Sequence, residues 1–440
     1  MTSQTLALAG FNKRRRIMRW LVGCLGGLAC LCCALTSGAA AWLWKQYTAY
    51  PSEPAALTRV VQREVSQMRG LEFKQPVTLR VLTPAKLREH LQQQFDQEWP
   101  REKARDQVLT LAAFDLLDPD TDLYQLYLDL YSEQVTGLYD PETKELYVVS
   151  DASGVSVLGR MTLAHELTHA LQDQYYDLQK LGYGKDRAER DSERLAGLQG
   201  LVEGDASLLQ AQYMRTFSPL DWARFSAEYS RIDMSKFNQA PSAISAGLTF
   251  PYNDGATFVK SLYTSGGWDA VNAAFSSPPQ STEQILHPQR YRSGDMPRDV
   301  TLAPLTDTLG SGWQLVDQDI LGEFSTRLHL AQRLEMITAT LAAEGWGGDR
   351  YATYSNDAQK TLVLVWQTVW DSEAEASEFV NTYNLYLATA FDHDADAVQS
   401  GRSCWRKSQD YRCLVWKADT TLVVRGPDAE TVERVLGALH

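Results

Sequence analysis

Apolar side chains recur at helical spacing over residues 57–70 and again over 84–95, and a strand-like run at 77–82 separates them. Helical patterns rich in Tyr and Leu continue to about Gln134. Residues 135–139 and 145–149 are then β-rich arms around Asp140-Pro141-Glu142-Thr143-Lys144, a pattern that predicts a hairpin. Leu195, Leu198, Leu201, Val202, Leu208 and Leu209 form an apolar stripe, which predicts a helix over about 186–217. Pro251-Tyr252-Asn253-Asp254-Gly255 opens a further helical stretch, and Gly266-Gly267-Trp268 closes it. Beyond Gly345-Trp346-Gly347-Gly348 the character changes. Strands are predicted at 351–354, 361–370, 412–417 and 420–425, with helices at 372–390 and 428–439.

Near the amino terminus the pattern is of another kind. From Trp20 to Trp44 no residue is charged, about 25 residues in all, enough to cross a bilayer as a helix. Trp20, Trp42 and Trp44 stand at its ends, where indoles favour the interface, and Lys13, Arg14, Arg15, Arg16 and Arg19 precede it. Positive flanks stay inside, so the expectation is a single-pass cell-membrane protein with a cytoplasmic amino terminus and the bulk of the chain outside. Ala39-Ala40-Ala41 also resembles a signal-peptidase site, and Leu21-Val22-Gly23-Cys24 a lipoprotein box; all three readings export the remainder.

Charge narrows the partners. After residue 44 the chain holds 37 basic against 55 acidic side chains, a balance that excludes nucleic acid as the expected partner. At 440 residues with 44% hydrophobic content, it can bury a sizeable core and leaves room for two domains. Four of its six cysteines, Cys24, Cys30, Cys32 and Cys33, lie in the uncharged run. Cys404 and Cys413 flank a short polar stretch and are expected to pair as a disulfide.

The segment Thr162-Leu163-Ala164-His165-Glu166-Leu167-Thr168-His169-Ala170-Leu171 contains HExxH. On a helix this spacing sets His165 and His169 one turn apart on one face, a geometry that grips Zn2+. Glu166 then sits beside the metal's open position, where it can accept a proton from water during hydrolysis of an amide. The residues around the ligands are uncharged, as a metal helix buried in a domain requires.

A third ligand is expected from Leu201-Val202-Glu203-Gly204-Asp205-Ala206, because Gly200, Gly204 and Ala206 let the helix that carries Glu203 approach another closely. Asp173 shares the face of His169, but three ligands along one straight helix do not converge on one ion; it reads as a supporting or solvated carboxylate. Glu189, Asp191 and Glu193 stand among Arg187, Arg190 and Arg194 and read as a solvated charged face. His90 and His329 lie in amphipathic helices, His393 stands among Asp392, Asp394 and Asp396, and His440 is terminal, so each has a solvated or core role.

With His165, Glu166, His169 and Glu203 in place, the chain resembles a zincin-like zinc metallopeptidase of the glutamate-zincin (gluzincin) type, in a membrane-anchored bacterial form. In that family a Glu from a following helix completes HExxH. The glycine and third histidine that metzincins place just after HExxH are missing, since Gln172 and Tyr175 occupy those positions. The resemblance covers about 135–207 and implies that the hairpin forms a substrate-binding edge strand. Many gluzincins carry an acidic residue four positions after the ligand Glu; here that position is Ser207, and Asp205 comes two residues after the ligand.

The expected fold class is therefore α+β: a zincin-like, mostly helical domain with a small sheet or hairpin, after one transmembrane helix and before a small α+β domain. The expected organisation is a basic tail at 1–19, an anchor at 20–44, the metallopeptidase domain at 45–344 and an accessory or substrate-positioning domain at 345–440. The expected function is zinc-dependent hydrolysis of a peptide or protein substrate, with Glu166 as general base. The oxyanion donor is expected from His287 or Tyr252. The alternative is a non-catalytic envelope-binding or structural protein on a zincin scaffold with a structural zinc.

Overall fold

The computed structural model describes residues 50–439 except 52, 135–136, 150–154 and 184–190. Helix α1 (Pro54–Arg69) starts where the Glu53 carboxylate accepts from the amides of Ala55 and Ala56, with Pro54 at its first position, and stops at Gly70 in left-handed conformation. Its Leu57, Val61 and Val65 recur every fourth residue and are buried. Strand β1 (Thr78–Leu82) leads through α2 (Pro84–Glu98), α3 (Arg101–Ala113) and α4 (Leu123–Gln134) to the hairpin β2 (Gly137–Asp140) and β3 (Glu145–Val149). The long connection lets β1 pair parallel to β3, and the small sheet runs β1-β3-β2 with β2 at its edge.

Helix α5 (Val157–Tyr176), capped by the Ser156 side chain, carries HExxH and packs against α6 (Ser192–Met214). Helix α7 (Pro219–Tyr229) follows. The long α8 (Ser242–Ser276) is interrupted at Gly266–Gly267, where Gly267 has φ 64°. Short helices α9 (Thr282–Leu286) and α10 (Gly322–Leu330) bracket strand β4 (Gln314–Asp319) in the order α9, β4, α10. After a short helix at Met336–Ala343 come β5 (Trp346–Asn356), β6 (Thr361–Trp370), α11 (Glu373–Phe391), β7 (Ala397–Gln399), β8 (Arg402–Lys407), β9 (Asp410–Lys417), β10 (Thr420–Gly426) and α12 (Ala429–Leu439).

The expected fold class needs correction in two respects. The carboxy-terminal region is no small sheet: seven antiparallel strands run β4-β5-β6-β10-β9-β8-β7. The excess over expectation comes from three strands without a clear apolar alternation, Gln314–Asp319, Ala397–Gln399 and Arg402–Lys407, which backbone pairing with neighbours holds in place. One core also joins Leu198, Phe258 and Phe324 of the helices to Trp346, Trp366 and Tyr383 of the sheet region.

The second correction concerns the membrane. The basic tail 1–19 and the anchor expected at 20–44 lie outside the described residues, and among those described no helix is long and apolar enough to cross a membrane. The described chain gives the single-pass architecture, and the cell-membrane localisation read from it, no support; neither is carried further.

The Cys404–Cys413 disulfide is present, joining directly opposed residues of β8 and β9 in the core of the sheet.

Candidate metal centre

The uncharged flanks of HExxH are the signature of burial: from Leu163 to Asp173 every residue of α5 is shielded from solvent. The helix lies between α1, β2 and α6, so both imidazoles face inward together. His165 Nε2 and His169 Nε2 stand 3.1 Å apart. Glu203 Oε2, from α6, stands 3.1 Å from the first and 3.3 Å from the second. A tetrahedral zinc site with bonds of about 2.0–2.1 Å separates its ligand atoms by about 3.3 Å, so the three donors fit that ion. Two imidazole nitrogens facing each other at this distance repel unless a proton or a cation lies between them.

Glu203 reaches the histidines because α6 and α8 meet backbone to backbone. A Cβ at Gly204 would lie 2.2 Å from the Gly255 carbonyl oxygen, and one at Gly255 would lie 2.3 Å from that of Gly200. Tyr183 donates to Glu203 Oε1 at 2.5 Å, leaving Oε2 to the histidines. Tyr183 escaped the sequence reading; only its place on the short link between two ligand-bearing helices could have drawn attention to it. Burial drives the Glu203 carboxyl upward, but the field of His169 and hydrogen bonds from both imidazoles outweigh this and hold it well below the usual carboxylate range. Burial likewise opposes charge on His169, yet Glu203 raises it to about 9 in the metal-free chain.

Among the described residues, Glu166 hydrogen-bonds to none of the three candidate ligands. Its Oε2 accepts the Tyr139 backbone N–H of edge strand β2 at 2.7 Å, and burial pushes its carboxyl upward against the opposing pull of His165 and His169. A Cβ at Gly137 would press on Thr162 and Glu166 at 3.2 and 3.5 Å, so β2 lies directly against the motif. Asp173 is no solvated group. It is buried, accepts from the Tyr139 hydroxyl at 2.7 Å, pairs with Lys144 and caps the Leu178 amide, which fastens the hairpin to α5.

Of the two expected oxyanion donors, the structure brings one to the candidate ligands. The Tyr252 ring lies 6.0 Å from that of His165 and is half exposed, while the charge of Glu203, then burial, raises its hydroxyl well above the usual value. His287 instead contacts Glu323 at 2.9 Å and Glu344 at 4.0 Å. Glu323 lies within the field of Glu193, ten residues before Glu203 on α6 and hence about 15 Å away along the axis.

Glu193 corrects a second expectation. It is buried, with Oε1 accepting both the Thr282 amide and hydroxyl at 2.6 Å, and burial raises its carboxyl to about 8. His329 is a core histidine, bonded to the Phe114 carbonyl and lowered by burial to about 4. His393 is exposed, and Asp392, Asp394 and Asp396 belong to no ligand cluster among the described residues. A second acidic group, Glu283, Asp295 and Asp371, already holds the Arg290 guanidinium.

Residues 312–436 match a domain of unknown function, DUF8575. The DUF8575 match spans β4 to α12 and includes none of the metal-site residues. No curated protein and no solved structure matches the chain.

Proposed function

We propose that the chain is a zinc peptidase, with His165, His169 and Glu203 as ligands and Glu166 as general base. The observation that carries this reading is the convergence of three ligand atoms at 3.1–3.3 Å beside a buried carboxylate that ligates nothing. A zinc ion held there supplies Lewis acidity, polarising an amide carbonyl and acidifying water. Glu166 takes the proton from the attacking water and delivers it to the leaving nitrogen; burial raises its carboxyl, which favours accepting that proton. Tyr183 engages the second oxygen of Glu203 and so fixes which oxygen faces the ion. Tyr252, open to solvent on one side and turned to the ligands on the other, donates to the oxyanion. His287 takes no part, being engaged with Glu323. The substrate is a peptide or protein segment laid along edge strand β2, which meets Glu166 at Tyr139.

Metal analysis and hydrolysis of an unbiased peptide library test this together. The wild type should bind one zinc and cleave, with activity abolished by a chelator. Glu166→Gln should retain zinc and lose turnover, because the amide accepts no proton. Wild-type protein that holds zinc but cleaves nothing would overturn the catalytic reading in favour of a structural zinc; protein that takes up no zinc would overturn both.

A further inference from the structure

An imidazole can ligate a metal through Nε2 only if its proton sits on Nδ1, and that choice is set by what Nδ1 faces. His169 Nδ1 faces Gln172 at 2.9 Å, three residues on along α5. The Gln172 amide is itself fixed. Its Nε2 donates to the Val202 carbonyl at 2.9 Å and to Asp205 Oδ2 at 2.9 Å. Both partners are acceptors, so flipping the amide would set its oxygen against two oxygens. The oxygen therefore faces His169, where it can receive only an Nδ1–H, and the Nε2 lone pair is left toward His165 and Glu203.

Asp205 is held in turn. It is fully buried, and Arg69, the last residue of α1, donates to it through Nε at 3.0 Å and through a terminal nitrogen at 3.3 Å. The guanidinium stacks over the Trp268 ring at 4.4 Å, and the indole donates to the Met68 carbonyl. The line Trp268, Arg69, Asp205, Gln172, His169 thus crosses α8, α1, α6 and α5. His165 has no such support among the described residues, where its buried Nδ1 meets no partner.

We propose that Gln172, oriented by Asp205 and Arg69, is a positioning residue that holds His169 in the tautomer able to bind the metal. The inference rests on the zinc reading above and goes beyond it: one ligand histidine is positioned by a neutral amide whose direction an ion pair dictates, while the other is not positioned at its far nitrogen.

Zinc affinity, measured on the full chain by competition with a chromogenic chelator, tests it beside thermal melts of the metal-free protein. Gln172→Ala should weaken zinc binding about 10- to 100-fold. Gln172→Met keeps the length of the side chain but removes the acceptor toward His169, so it should weaken zinc binding as the alanine variant does. Should Gln172→Ala not fold, Gln172→Met decides alone, and zinc binding within about threefold of wild type in it overturns the proposal. Folded Gln172→Ala with wild-type affinity overturns it as well. Wild type that binds no zinc would instead sink the metal reading on which the proposal rests.

Discussion

Gly204→Ala tests the packing that brings Glu203 to His165 and His169. The added methyl would lie 2.2 Å from the Gly255 carbonyl oxygen, 2.4 Å from its carbon and 2.9 Å from a Val259 methyl. Ordinary contact needs about 3.4 Å or more, so α6 and α8 must part by roughly 1 Å. Overpacking of this kind costs about 1–3 kcal/mol, and alanine's better helix propensity offsets up to about 1 kcal/mol. The net expectation is a loss of about 1–2 kcal/mol. If α6 yields, Glu203 leaves the 3.1–3.3 Å set and zinc affinity falls; if α8 yields, Tyr252 moves and turnover falls at unchanged affinity. Gly247→Ala is the control, because that α8 site has ordinary helical conformation and nothing within 4 Å of its missing Cβ. It should gain up to about 1 kcal/mol. Urea unfolding of both variants, with chelator competition on each, reads the difference. Gly204→Ala as stable as Gly247→Ala, with wild-type zinc affinity and turnover, would refute the close-approach argument.

Other outcomes follow from the same geometry. Tyr252→Phe should lower kcat about 10²- to 10³-fold with little change in KM or zinc content if its hydroxyl meets the oxyanion, and steady-state kinetics would read this. His287→Ala should leave kcat per zinc-loaded molecule unchanged. Glu193 has a folded pKa of about 8 against an ordinary 4.5, so its contribution to stability is full below about 4.5 and is lost as pH rises through 8. Melts from pH 5 to 8.5 should fall less steeply for Glu193→Gln, and parallel slopes would refute the assignment. Removing both Cys404 and Cys413, which close a loop of about ten residues, should cost about 2–3 kcal/mol, and equal unfolding midpoints for variant and wild type would exclude it.

The parts of the site legible in the sequence are those whose geometry is local. His165, Glu166 and His169 are fixed to one another by helical spacing alone, whatever the fold around them. Glu203 was reached indirectly, through glycines whose only use on a helix is close approach, and the contacts of Gly200 with Ile285 and of Gly204 with Gly255 bear out that use. Tyr183 and Asp205 were out of reach because their partners lie on other elements, and Gln172, though one turn from His169, because the acceptors that orient its amide lie on α6. Glu193 misled for the same reason: its sequence neighbours are arginines, but its spatial ones are Thr282 and the Gly322 backbone. In the sheet, β8 and β4 carry polar residues at positions that burial would not choose, and only pairing with β9 and β5 makes them strands.

The seven-stranded sheet bears on the candidate metal centre through the start of α6. Ser192 donates its amide to Asp319 and its hydroxyl to the Ile320 carbonyl, and Glu193 packs against Gly322, where any Cβ would lie 2.0 Å from the carboxylate. Gly322 has φ 79°, so glycine is required there twice over. The turn that holds these groups is itself fixed to β5, because Asp349 accepts the amides of Leu321 and Gly322 and the indoles of Trp346 and Trp366. From Glu193 to Glu203 is under three turns of unbroken helix, about 15 Å of rigid rod. The two histidines ride on α5, which is fastened to α1, the hairpin and α7 as well as to α6. One continuous helix, α6, thus joins the anchorage at the sheet to the stretch that carries Glu203 and packs against α5 and α8.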